Sequence, residues 1–160
     1  MVRAGSAAFL EKRSLWRLTD AGRDEHAARL AETVVGVDVA ALPYERFLSS
    51  NATFKELCTD WQVRDGEPND HTDAAYDDAV IARLESLDAE AQSVLREISA
   101  VLPWTEHYGQ RLRAALGRLR AGDTKAFTGV LSDSYHDIWM ELHEDLIITQ
   151  GIDRAAEGST

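Results

Sequence analysis

The chain has 160 residues, about one domain's worth of polypeptide, and its 44% hydrophobic and 28% charged residues are the proportions expected of a water-soluble globular fold. Ten glycines and three prolines exclude a collagenous or linker-like chain, and the single Cys58 excludes an intramolecular disulfide and a Cys-based zinc site. The net charge of −11 repels nucleic acid at long range. No apolar run approaches the roughly 18 residues of a membrane helix and no secretory signal is visible, so no membrane partner is expected and the expected compartment is the cytoplasm.

Charge and pattern change along the chain. The first seventeen residues carry Arg3, Lys12, Arg13 and Arg17 against Glu11, a net of +3, whereas residues 64–97 hold ten acids against three arginines, a net of −7. Ala8-Phe9-Leu10 and Leu15-Trp16-Arg17-Leu18 bracket a polar tetrapeptide and predict a hairpin. Thr19 or Asp20 then caps a helix carrying Ala27, Leu30, Ala31 and Val34, closed at Val35-Gly36. Pro43 suits the first turn of the next helix, whose stripe is Phe47, Asn51, Phe54, Cys58 and Trp61. A loop over Asp65–Asn69 leads to a stripe of Tyr76, Val80, Leu84 and Leu87. Asp88 reads as the cap of a further helix holding Val94, Leu95, Ile98, Val101 and Leu102, stopped by Pro103. Leu112, Ala115, Leu116 and Leu119 mark another, closed near Gly122, and Asp123 or Thr124 caps a short piece through Phe127. The last helix runs from about Ser132 to Thr149 on Leu131, Tyr135, Ile138, Leu142 and Leu146, with Trp139 beside them. The expected fold is therefore an all-α bundle of about six helices behind a short N-terminal β-hairpin. Residues 1–35 form the hairpin and linker helix, 40–152 the bundle, and 153–160 a loose tail.

Leu15-Trp16-Arg17-Leu18-Thr19-Asp20-Ala21-Gly22-Arg23 followed by a helix resembles the end of a winged helix-turn-helix domain of the MarR and PadR type: a wing strand, then Leu-Thr-x-x-Gly-Arg, then a helix. Alternation along the strand sets Trp16 and Leu18 toward a small core and Arg17 on the opposite face. The resemblance implies that Lys12, Arg13 and Arg17 contact the DNA backbone, which positions a protein without reading sequence. It covers about 25 residues. A recognition helix ahead of the wing is missing, because about seven residues precede the hairpin. Either the chain is a remnant or its start lies upstream; as it stands, DNA contact is expected to be weak. The remainder resembles, in architecture alone, the helical part through which such regulators dimerise or sense a ligand.

Other residues suggest chemistry less specifically. Asn51 is the amide of an apolar stripe, and must find partners if buried; exposure at a kink near Ser49-Ser50 is the plainer reading. With Trp61, Trp104, Tyr135 and Trp139 it defines a candidate small-molecule pocket, against the default that the aromatics fill a core or dimer interface. Asp133-x-x-His136 resembles half of a carboxylate-bridged metal motif, and His143 shares a helix face with His136 across Met140. Completion would need His107 or Glu106, so no metal is assigned and Asp133, His136 and His143 are the nearest candidates. The histidines also suit pH sensing. Cys58 reads as a small core residue rather than a nucleophile. No nucleotide loop, hydrolase elbow or zinc-finger spacing is present, so neither an enzyme nor a cofactor is expected. The preferred reading is a regulator of the winged helix-turn-helix type, or a truncated relative, that forms a homodimer and responds to a small-molecule effector. The alternative is a stand-alone helical interaction module using the acidic face around Asp70 to Asp78. A metal-dependent enzyme is the third reading.

Overall fold

Thr19 organises the first elements. Strand β1 (Ala7–Leu10) pairs antiparallel with β2 (Leu15–Leu18), setting Phe9 opposite Trp16 and Ala7 opposite Leu18. Thr19, rather than Asp20, caps helix α1 (Asp20–Thr33): its Oγ1 accepts the Gly22 N–H at 3.1 Å. The same hydroxyl donates to Gly5 O at 2.6 Å, and the Thr19 N–H donates to Ser6 O at 3.1 Å. One side chain thus satisfies an orphan helix donor and fastens the strand–helix corner. Gly22 is required there, because a Cβ would lie 1.9 Å from Ser6 O.

The computed structural model describes residues 5–11 and 15–152, which fall into two compact units, Met1–Ala40 with Glu144–Thr160 and Ala41–His143. In the first unit α1 is mostly solvated. Of its expected stripe Leu30 is buried, Ala27 and Val34 are half-buried, and Ala31 is exposed. His26 Nε2 meets Asp145 Oδ1 at 2.7 Å, tying α1 to the last turns of the C-terminal helix.

The second unit is a helical bundle. Helix α2 (Tyr44–Gln62) starts directly after Pro43 and buries Phe47, Asn51, Phe54, Leu57 and Trp61. It ends in a tight turn, not the open loop expected: β3 (Val63–Arg64) and β4 (Glu67–Pro68) pair around Asp65-Gly66, both at positive φ. Two left-handed central residues make the turn type that matches strand twist, and Asp-Gly is its preferred pair.

Helix α3 (Ala74–Val101) is capped by Asp73, whose carboxylate accepts the Ala75 and Tyr76 N–H groups at 3.1 and 3.2 Å. It runs 28 residues without interruption, which corrects the boundary expected at Asp88. No glycine or proline interrupts this span. The Asp88 carboxylate is buried and accepts from Tyr135 Oη at 3.0 Å and Gln92 Nε2 at 3.2 Å instead of capping a helix. Val101, expected inside, is exposed, while Leu102 is buried.

After a 3-10 turn at Pro103–Thr105, α4 (Glu106–Arg120) buries Leu112, Ala115, Leu116 and Leu119 as the pattern requires. Gln92 crosses to α4 and donates to Gly109 O at 3.0 Å. The short α5 (Lys125–Thr128) follows, and neither Asp123 nor Thr124 caps it with a side chain. Helix α6 (Tyr135–Gln150) starts three residues later than expected. Ser134 Oγ accepts the Asp137 N–H at 3.1 Å, while Asp137 Oδ2 accepts from Ser132 and Ser134 N–H. This reciprocal box defines the start and leaves Leu131 outside the helix, 62% exposed, not on its buried stripe. The expected architecture of six helices behind a small N-terminal antiparallel hairpin is what the described residues form. No helix among them is long and apolar enough to cross a membrane.

Candidate functional site

The hairpin presents an unusual surface. Trp16 is 67% and Phe9 46% exposed, and their rings meet across the strands at 5.2 Å. Leu18 is exposed as well. The placement of Trp16 and Leu18 in a small core is therefore corrected: both are exposed. Such cross-strand aromatic pairs stabilise a hairpin locally, by about 0.2–1 kcal/mol. Arg17 is exposed, and its guanidinium has no partner among the described residues. Lys12 and Arg13 lie outside the described residues. The corner is held by Thr19, Gly22 and Arg23, whose guanidinium bonds Asp20 and donates to Leu18 O at 3.2 Å.

Three of the five candidate pocket residues meet in the second unit. Trp139 Nε1 donates to Asn51 Oδ1 at 2.9 Å, and Asn51 is 4% exposed rather than set at a solvated kink. Tyr135 stacks at 6.1 Å from Trp139, and Phe54 joins both rings at 5.6 and 4.8 Å. Phe127 links Phe54 to Trp61 at 6.2 and 5.3 Å. These side chains pack against one another as core. Burial, aided by the Asp88 charge, holds the Tyr135 phenol well above its usual range. Trp104 stands apart on the 3-10 turn, half-buried, with its indole N–H lacking a partner among the described residues. Cys58 is half-buried on the same helix as Asn51, and burial pushes its thiol up to about 12, which suppresses nucleophilicity.

The metal candidates do not converge. Asp133 binds Arg111 at 2.5 Å, and Arg111 also holds Glu141 at 2.5 Å; these carboxylates hold the guanidinium firmly protonated. His136 packs against Phe54, whereas buried His143 lies 3.4 Å from Tyr44 Oη and packs against Phe47. Among the described residues no group of three or more His, Cys, Asp or Glu side chains could hold a metal ion. The acids around Asp70 to Asp78 are largely occupied. Asp70 accepts from Thr72, chiefly from its hydroxyl, which lowers its carboxyl below the usual range. Asp73 is lowered by the helix N–H of Tyr76 and by Arg64 at 2.9 Å. Asp77 binds His71.

That last contact belongs to a site that the sequence pattern did not reveal. A cavity of about 280 Å³ at the end of α2 is lined by Trp61, Gln62, Asn69, His71, Thr124, Lys125, Thr128 and Gly129. His71, at a positive φ of 59°, has Nδ1 2.9 Å from Asp77 Oδ2 and its ring 4.4 Å from Trp61. No local spacing marks these residues, because they come from three separate segments of the chain.

No family model matches the chain, and no curated protein or solved structure shows significant similarity to it.

Proposed function

We propose that the chain is the wing-bearing and helical part of a DNA-associated regulator. Its hairpin touches phosphates through Lys12, Arg13 and Arg17, and its bundle is the part that dimerises and responds to a small effector. The observation that supports this most is the hairpin's construction. A two-stranded hairpin runs through Thr19 and Gly22 into a helix, with Arg17 solvated and Phe9, Trp16 and Leu18 exposed, as a wing and its linker helix would be arranged. Binding through three cations to an acidic chain is weak and sequence-independent. Retention of the chain on a duplex-DNA column at low salt, compared with a K12A/R13A/R17A triple variant, tests the reading. Retention of the parent and flow-through of the variant support it; co-elution of the two refutes it.

A second reading, a helical protein-interaction module, is favoured by the same exposed aromatic pair. Aromatics are enriched at the centres of protein interfaces and large bare apolar faces mark contact sites. A Trp16→Ala variant that loses a protein partner while the triple variant keeps it would favour this module over the regulator.

A further inference from the structure

We infer that the cavity at the end of α2 binds the phosphate group of a small phosphorylated molecule. Asn69 and His71, on the segment between the tight turn and α3, contribute to its lining. Asn69 Nδ2 donates to Trp61 O at 3.1 Å and to Asp77 Oδ1 at 3.0 Å, and Asn69 Oδ1 accepts the His71 N–H at 3.2 Å. His71 Nδ1 lies 2.9 Å from Asp77 Oδ2 and 3.3 Å from Asn69 Nδ2, which orients the ring. Its Nε2 has no partner among the described residues. From the other side come Thr124, Lys125 and Thr128. The Lys125 ammonium and both threonine hydroxyls likewise have no hydrogen-bond or ion-pair partner among the described residues.

This inventory selects the ligand. One ammonium, two hydroxyls and the Gln62 amide supply donors, and one imidazole nitrogen accepts when neutral and donates when protonated. A hydrogen phosphate carries anionic oxygens for the donors and a P–OH as well, whereas a phosphate monoester, mostly dianionic at neutral pH because its second pKa is about 6, offers three acceptor oxygens. Gln62, Thr124 and Lys125 stand exposed at the rim; a carboxylate offers two oxygens to these four donor groups, and a cation meets Lys125. Although residues 64–97 are the most acidic stretch of the chain, no acid lines the cavity. Asp77 is engaged by His71 and Asn69, Asp70 by Thr72, Asp73 by Arg64 and the α3 amides, and Asp123 lies 3.8 Å from Arg118. At about 280 Å³ the cavity is at the small end of ligand sites, with room for an organic body beside the phosphate.

The site stands independently of the DNA reading and is tested without DNA. The ¹⁵N-labelled chain is titrated separately with inorganic phosphate and with glycerol 3-phosphate, with sodium chloride at matched ionic strength as the control. The His71 ring nitrogens and the amides of residues 124–128 are followed. Saturable shifts in both segments with either phosphate, and not with chloride, are expected. Lys125→Gln and His71→Asn should each weaken binding by at least about tenfold. Arg46→Gln, in the separate groove between α2 and α3, should leave it unchanged. Saturation by glycerol 3-phosphate alone supports the site and assigns part of the affinity to the organic body. No saturable shift with either probe, an equal response to chloride, or unchanged affinity in the exposed Lys125→Gln variant overturns the proposal.

Discussion

Replacing Asn51 by alanine removes the acceptor of the Trp139 indole inside a core where Trp139 is fully buried. The stranded N–H then carries its full desolvation cost, about 1–3 kcal/mol. The amide's own packing against α6 adds a smaller loss. Together these should lower unfolding stability by about 2 kcal/mol, which at this chain length moves the melting temperature by about 4–8 °C. A Trp139→Phe background already lacks the donor, so Asn51→Ala should cost clearly less there. Urea unfolding followed by far-UV circular dichroism, run on parent, both single variants and the double variant, gives the coupling energy. A value near 1 kcal/mol or more is expected. Coupling within about 0.3 kcal/mol of zero would mean that the bond contributes nothing and that Asn51 is held by shape alone.

Two further outcomes follow from local geometry. Cys58 keeps in the folded chain a proton that the unfolded chain releases, since burial pushes its thiol up to about 12. Its stabilising contribution is complete below about pH 8.5 and is lost as pH climbs toward 12, by at most about 1.4 kcal/mol per pH unit. Cys58→Ala should flatten that alkaline fall, and at pH 8 the native thiol should react with a disulfide reagent at least about a hundredfold more slowly than the unfolded chain; equal rates would contradict this. Gly22→Ala should loosen the strand–helix corner, because its Cβ meets Ser6 O at 1.9 Å. Hydrogen exchange of the Thr19 amide, which donates to Ser6 O, should speed up while amides of α3 stay protected; unchanged exchange at Thr19 would show that the corner tolerates the methyl group.

Much of the helical order is legible in spacing alone. The stripes Phe47–Phe54–Trp61, Val80–Leu84–Leu87 and Leu112–Leu116–Leu119 are buried as their periodicity requires; α4 and α6 end just before Gly122 and Gly151, while α1 ends at Thr33, ahead of the Val35-Gly36 closure expected. What spacing misses depends on partners distant in sequence. Asp88 looks like a cap because local rules favour one; it is buried mid-helix because Tyr135, 47 residues away, supplies a donor. Leu131 fits the stripe arithmetically, but the Ser134–Asp137 box starts the helix after it. Trp16 and Leu18 alternate correctly, yet alternation says which residues share a face and not whether anything covers it. His71 carries no local signal for the same reason. Its significance rests on Asp77, Trp61 and Lys125, and Lys125 lies 54 residues away along the chain.

The salt dependence of duplex binding tests the regulator reading most directly. Fluorescence anisotropy of a labelled duplex, titrated with the chain between about 20 and 100 mM salt, gives the slope of log affinity against log salt. Phosphate contacts by Lys12, Arg13 and Arg17 predict a slope of about −2.7, collapsing toward zero in the K12A/R13A/R17A variant and equal for two unrelated sequences. A parent chain that shows no affinity at the lowest salt, or a variant with the parent's slope, would contradict the wing and leave the exposed Phe9–Trp16 face to a protein partner.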